Sequence, residues 1–350
     1  MKRPGFAVNF PPNNNNISNY VGIPPEIGAI MNTITYRGVQ YFNVTEKDFL
    51  HVHDLGSGCF GNVSKVHFTR VKDESIQLAV KLIKLTMNPA DRRNAYMDCR
   101  VILNTHTHKN IVNCYGIVLD QQSIFICMEV MQTCLDKLID NYFVGIGIPE
   151  QYVRIILVEI LCGLKYLKSC KFMHRDVKPS NMLLNWDGMV KICDFGLSGT
   201  LLDSQVIGSD GKGDYRYLAP ERVSPSTSRR YTARSDVWSL CVSMYQALTS
   251  ENPFGLKNAT PFHTYDLIVN VNVDLTRING NDDMINFIQS GLQKIPENRP
   301  NCDELWEHPL VQKALSAKTS REYQIELSDW IGLFLNPIIS IKNNLRCNYV

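Results

Sequence analysis

Two short stretches of this chain hold residue types whose spacing could do chemistry. "HRDVKPSNMLLN" presents His174, Arg175, Asp176, Lys178 and Asn181, and "KICDFGLSG" presents Asp194 shortly before a glycine. A loop offering Asp, Lys and Asn, followed by a second Asp, supplies each group that phosphoryl transfer demands. One carboxylate can orient an attacking hydroxyl, an ammonium can meet the transferring phosphate, and two oxygen ligands can hold magnesium.

Two earlier features fit the same chemistry. Gly56, Gly58 and Gly61, with Val63 after them, lie between two strand-like runs. A dinucleotide-binding turn would need a helix after the glycines, whereas "NVSKVHF" reads as a strand. The glycines therefore belong to a hairpin tip, where backbone amides can approach phosphate oxygens closely. Lys81 in "LAVKLIK" has apolar neighbours in Ala79, Leu82 and Ile83, so its ammonium needs anionic partners: nucleotide phosphates and a helix carboxylate. A second glycine cluster, "GSDGKGDYRYLAPE", fails as a Walker phosphate loop, because Gly211-Lys212 is followed by Gly213 rather than Ser or Thr.

The elements that must position these groups follow from composition and period. The chain has 350 residues, 44% hydrophobic and 20% charged, enough for two lobes around a cleft. A formal net charge of +2 gives no general polyanion-binding surface, which argues against nucleic acid as a partner. No uninterrupted apolar run is long enough to span a bilayer, and "MKRPGF" lacks the apolar core of a signal peptide. Eleven cysteines at scattered spacings read as free thiols in a reducing compartment, giving a cytoplasmic location with the nucleus left open. His51, His53, His106 and His108 lack acidic or cysteine neighbours and read as surface polar residues.

Residues 1–45, rich in Pro, Asn and Gly, read as a disordered tail. From Phe49 the pattern is strand-rich, with "QLAVKLIKL" and "SIFICMEVM" as further strands and "NPADRRNAYMDCRVILNTH" as one helix. Beyond about residue 132, "EQYVRIILVEILCGLKYL", "RSDVWSLCVSMYQALTS", "NDDMINFIQSGLQ" and "CDELWEHPLVQ" read as helices. The expected fold is α+β and bilobal, a small β-rich lobe before a large helical one.

In this order, with Ala219-Pro220-Glu221, Asp236-Val237-Trp238 and Arg299 following, the motifs resemble those of protein kinases over residues 49 to 311. The resemblance implies an N-lobe at 46–128, a hinge at 129–132 and a C-lobe at 133–311, with the active site between the lobes. It implies Asp176 as catalytic base, Lys178 on the γ-phosphate, and Asn181 and Asp194 as magnesium ligands. ATP would be held by Leu55, Gly56, Ser57, Gly58, Cys59, Phe60, Gly61, Val63, Ala79, Lys81, Met128 and Met131. Asp98, Arg175, Glu221, Asp236 and Arg299 take the structural and regulatory positions. "FICMEVMQTCLDKL", "YMDCRVIL", Cys193 and "DFGLSGTLLDS" are similar to dual-specificity MAP kinase kinases, the stress-activated branches above all, whose members share an aspartate at the position of Asp98. That implies a MAP kinase as substrate, a MAP kinase kinase kinase upstream, and a monomer. A Ser/Thr kinase of another branch and a scaffold that has lost catalysis are the rival readings.

On this resemblance the second glycine cluster is the mobile middle of an activation segment, with Ser204 and Ser209 as phosphate acceptors and Arg175 as the partner of the new charge. Two departures stand out. The serine spacing differs from the relatives' by one residue, and Asp214 sits near a position usually filled by Thr, where it could pair with Lys178 and repel Asp176. Lys2, Arg3, Phe6 and Val8 resemble a docking motif. In the extension at 312–350, Leu327, Trp330, Ile331 and Phe334 form one helical face, for packing or for docking an upstream kinase. Cys193 reads as a small buried apolar residue, and Cys241, in place of a usual glycine, should crowd its helix.

Overall fold

A computed structural model describes residues 31–58, 61–71, 76–120, 122–200, 214–223, 232–254 and 260–335. It departs from the sequence reading at its first element. Thr33–Tyr36 (β1) and Val39–Tyr41 (β2) form a hairpin whose turn, Arg37-Gly38, has φ values of +49° and +81°. This left-handed pair matches the twist of the flanking strands. Ile34 is fully buried beneath it, and Asn32 ties the hairpin down by accepting the Leu119 N–H on Oδ1 (2.7 Å). The disordered tail expected through residue 45 is thus corrected for residues 33–41. The Asn- and Pro-rich stretch before them hid a short alternating pattern. The docking motif at Lys2, Arg3, Phe6 and Val8 lies outside the described residues.

The glycine-containing runs form β3 (Phe49–Gly58) and β4 (Gly61–Phe68), paired until Gly58 faces Gly61. β5 (Gln77–Lys84) follows, and α1 (Pro89–Thr105) is the expected helix. β6 (Cys114–Asp120) and β7 (Ser123–Met128) complete a seven-stranded antiparallel sheet in the order β2-β1-β6-β7-β5-β4-β3. Gly61 has φ +142°, and a Cβ on it would fall 2.1 Å from the Leu82 carbonyl oxygen, so only glycine lets β4 cross β5 there.

The C-terminal part is helical. β8 (Thr133–Cys134) leads into α2 (Leu135–Tyr142) and α3 (Glu150–Ser169), with Pro149 standing as the N-cap of α3. The short strands β9 (Phe172–Met173), β10 (Met182–Leu184), β11 (Val190–Ile192) and β12 (Gly199–Thr200) frame the chemistry-bearing loops. α4 (Pro220–Val223) precedes α5 (Ala233–Thr249), whose residues from Ser235 to Leu248 are all buried. Of the helices that follow, α7 (Asp282–Gly291) and α8 (Cys302–Trp306) pack on it, α9 (Pro309–Ala317) and α10 (Ser320–Leu335) pack on α3, and α6 (Pro261–Asn270) meets α4. The single helix expected over "CDELWEHPLVQ" is two, because Pro309 cannot donate within a helix and instead starts α9. The crowding expected of Cys241 on α5 is absorbed opposite it: a Cβ on Gly291 would lie 2.2 Å from its sulfur.

The apolar face of α10 is covered by the helical lobe itself. Leu327 and Ile331 are fully buried, and Trp330 stacks on Tyr152 at 4.4 Å and approaches Phe143 at 5.6 Å. Trp330→Ala should cost about 3–5 kcal/mol, read as a lower urea midpoint at constant m-value. A midpoint equal to wild type would mean that α10 is not part of the cooperative unit.

Candidate active site

The two lobes meet over a cleft of about 630 Å³. Its roof holds Leu55, Gly56, Gly61 and Val63, its back Ala79, Lys81 and Met128, and its floor Leu183, with Met131 beside the hinge. A Cβ on Gly56 would meet nothing within 4 Å, so the backbone there borders open cleft. Ser57 and Gly58 pair through the backbone with Asn62 and Gly61. Cys59 and Phe60 lie outside the described residues.

Lys81 on β5 is 5% exposed and is held from two sides. Asp98 on α1 accepts its ammonium through Oδ2, and Asp194 accepts it through Oδ1 at 2.7 Å. Burial opposes the charge on Lys81, but the two carboxylates outweigh it and raise its pKa. Burial also pushes Asp98 up, against Lys81 and reinforced by Asp194. For Asp194 the pull of Lys81 overcomes burial and holds the carboxyl below its ordinary value. Asp98 also makes a second contact. Its Oδ1 accepts the Phe195 N–H at 3.1 Å, so one carboxylate fixes both the lysine and the residue after Asp194.

The loop between β9 and β10 is held by its own backbone. Asp236, at the start of α5, accepts the His174 N–H and the Arg175 N–H, each at 2.9 Å. Arg175 there has φ +68°, a left-handed non-glycine conformation that this double acceptance maintains. His174 Nδ1 accepts the Asp176 N–H (3.2 Å), which leaves Nε2 as the donor to the Cys193 carbonyl (3.0 Å). The histidine thereby joins the Asp176 loop to the residue before Asp194. Cys193 lies against this network, and burial drives its thiol well above the ordinary range. That is the behaviour of a packing residue.

Asp176 Oδ2 receives the Lys178 ammonium at 2.8 Å and the Asn181 amide at 3.0 Å. Among the described residues no group donates to its Oδ1. Burial lowers Lys178, but Asp176, then Asp194 and Asp214, outweigh it and raise its pKa. Asp214 does not pair with Lys178, as the sequence had allowed. Arg216 grips it instead, through Nε (2.9 Å to Oδ1) and Nη2 (2.5 Å to Oδ2).

Glu221 and Arg299 form a buried pair at 2.9 Å beneath the Ala219–Glu221 turn, away from the cleft. Arg175 faces β12, where a Cβ on Gly199 would fall 2.1 Å from its guanidinium carbon. Ser204 and Ser209 lie outside the described residues. His51 contacts Asp54 at 3.0 Å, His106 faces its own helix carbonyls, and His108 stacks on Tyr166.

Sequence reasoning also missed the contacts of Glu129 and Lys137. Glu129 Oε1 accepts both the Asn113 N–H (2.6 Å) and the Lys191 ammonium (2.5 Å), tying the hinge to both lobes. Lys191 between Val190 and Ile192 carries the same buried-lysine signal that singled out Lys81. Lys137 on α2 reaches the Leu55 carbonyl at 2.9 Å across the cleft mouth, a contact with no local pattern behind it.

The residues present suit a nucleotide and a divalent metal. The cleft has an apolar box near the hinge, an open cradle at Gly56, a buried ammonium, and hard oxygen donors at Asp194 and Asn181.

The protein kinase domain family matches residues 49–311. The chain is 36% identical over 267 residues to the dual specificity mitogen-activated protein kinase kinase mek-1 of Caenorhabditis elegans, covering 76% of this chain and 74% of that protein. It is 33% identical over 301 residues to the dual specificity mitogen-activated protein kinase kinase 7 of Homo sapiens, covering 84% and 70%. To the Drosophila melanogaster kinase kinase hemipterous it is 33% identical over 307 residues, 86% of this chain but 24% of that longer protein.

Proposed function

Since this chain belongs to the protein kinase family and resembles its dual-specificity mitogen-activated protein kinase kinases, we propose that it phosphorylates Thr and Tyr in the activation loop of a MAP kinase. The observation that carries this reading is the convergence of Asp176, Lys178, Asn181, Asp194 and Lys81 on one cleft. ATP would be held by the backbone around Gly56 and Gly61, by Lys81, and by the apolar box of Val63, Ala79, Met128 and Met131. Asn181 and Asp194 would hold Mg2+. When bound, the metal–nucleotide supplies an activated phosphoryl group whose developing charge is partly neutralised.

The chain's own residues do the remaining work. Asp176, with Oδ2 taken by Lys178 and Asn181, accepts the proton of the attacking hydroxyl on Oδ1. Lys178 places its ammonium beside that oxygen pair, where charge builds on the transferring group. Asp98 keeps Lys81 and Phe195 in fixed relation, so the metal-binding carboxylate and the phosphate-binding lysine move together. The reading carries with it a monomeric cytoplasmic enzyme activated by an upstream kinase. The scaffold alternative drew its support from Asp214 and from the altered serine spacing; the grip of Arg216 on that carboxylate weakens the first, and the serines lie outside the described residues.

The deciding experiment incubates the purified protein with ATP, Mg2+ and a panel of catalytically dead MAP kinases, and maps new phosphates by mass spectrometry. Paired phosphothreonine and phosphotyrosine in one activation loop is the expected result. Labelling confined to unrelated Ser/Thr substrates would assign the chain to another kinase branch. Ser204→Ala with Ser209→Ala should abolish activation by the upstream kinase. A double variant activated like wild type would refute that placement of the acceptors.

A further inference from the structure

Asp214 puts a carboxylate within electrostatic reach of Lys178, and among the described residues every hydrogen bond that this carboxylate accepts comes from Arg216. Arg216 donates its backbone N–H (3.1 Å) and Nε (2.9 Å) to Oδ1, and Nε (3.1 Å) and Nη2 (2.5 Å) to Oδ2. Arg216 is itself anchored. Its carbonyl accepts the Asn252 amide at 3.4 Å, and its guanidinium lies 5.6 Å from the centre of the Tyr217 ring. The Tyr217 hydroxyl in turn donates to Gln246 on α5 at 2.7 Å, and the Tyr217 carbonyl accepts from Ser239. The pair is therefore built onto the most buried helix of the lobe, on a turn that Asp214 also caps.

Besides Asp176 and Asp194, Lys178 has a third carboxylate within electrostatic reach. Asp214 contributes to keeping its ammonium charged. A carboxylate released at 214 would draw Lys178 away from Asp176 and repel the base, since each is a unit charge acting across a partly desolvated site. A bidentate guanidinium is the side chain best able to prevent this, because its planar fork satisfies both oxygens in one orientation.

We propose that Arg216 is a positioning residue for phosphoryl transfer: it sequesters the Asp214 carboxylate so that Lys178 stays on Asp176. The proposal rests on the catalytic reading of Asp176 and Lys178 given above. It accounts for how the chain can carry an acidic residue within electrostatic reach of Lys178 and still act as a kinase.

The test is a rescue. Arg216→Met keeps an apolar stem against Tyr217 and removes the charge. It should lower kcat by about ten- to a hundredfold with KM for ATP little changed, the scale of a small misplacement at the reacting centre. Adding Asp214→Asn, which deletes the liberated charge but can still cap the turn, should return most of the lost kcat. A purely structural role for Arg216 predicts no such recovery. A single variant as fast as wild type, or a double variant no faster than the single, overturns the proposal. Asp194→Ala serves as blank. A wild type no faster than this blank overturns the phosphotransfer reading and the proposal with it. A wild type above the blank confines any failure to Arg216.

Discussion

Asp176→Asn lowers kcat for phosphoryl transfer by about 10²- to 10⁴-fold, while the variant still binds a non-hydrolysable ATP analogue. The substitution is nearly isosteric, and the backbone hydrogen bonds that shape the loop do not depend on the Asp176 carboxylate, since Asn181 also donates to the Asp176 carbonyl at 2.8 Å. The His174 and Arg175 amides go to Asp236, and the Asp176 amide goes to His174. What is lost is the negative charge that accepts the hydroxyl proton and holds Lys178 at 2.8 Å. Lys81, Asp98 and the apolar box are untouched, so nucleotide affinity should survive. Steady-state kinetics against the proposed MAP kinase substrate, alongside analogue binding by calorimetry, separate the two quantities. A variant with kcat within a few-fold of wild type would remove Asp176 from the base role.

The largest stability effect lies away from the cleft. Glu221→Ala should destabilise the protein by about 3–5 kcal/mol. Arg299 is 0% exposed, and its guanidinium faces Glu221 through Nη1 and Nη2 at 2.9 and 3.1 Å. The remaining donors go to the Gln293 and Arg234 carbonyls, and Trp238 lies 5.1 Å away. Removing the carboxylate leaves a buried cation paired only with neutral dipoles, and Ser235 loses the acceptor of its hydroxyl. The double variant Glu221→Ala with Arg299→Met should be less destabilised than the sum of the two single changes, because it buries no orphan charge. Urea unfolding with constant m-values measures both. A loss below about 1 kcal/mol, the range of an exposed pair, would show that solvent reaches the site.

Much of the catalytic constellation was legible in the sequence because it is local. Asp176, Lys178 and Asn181 share one loop, and their chemistry follows from residue type and spacing. The need of Lys81 for a helix carboxylate was also legible from its apolar strand neighbours, whereas Asp98 as that carboxylate came only with the kinase resemblance. Contacts lacking a local pattern were not. The hairpin at 33–41 was hidden by the composition of the residues before it. The reach of Asp98 to the Phe195 amide depends on how close α1 comes to the Asp194 segment, which no periodicity encodes. Asp214 and Arg216 are two residues apart, yet their clasp follows from a tight turn that the surrounding glycines did not announce. The packed face of α10 was legible as a face, but not its stacking on Tyr152.

The most direct measurement compares phosphate transfer from ATP to a MAP kinase by two proteins, each carrying Ser204→Asp and Ser209→Asp, one of them also Asp194→Ala. The account predicts substrate-dependent turnover in the first and its loss in the second, because the carboxylate at 194 is required in the cleft. Equal rates from the two would contradict it.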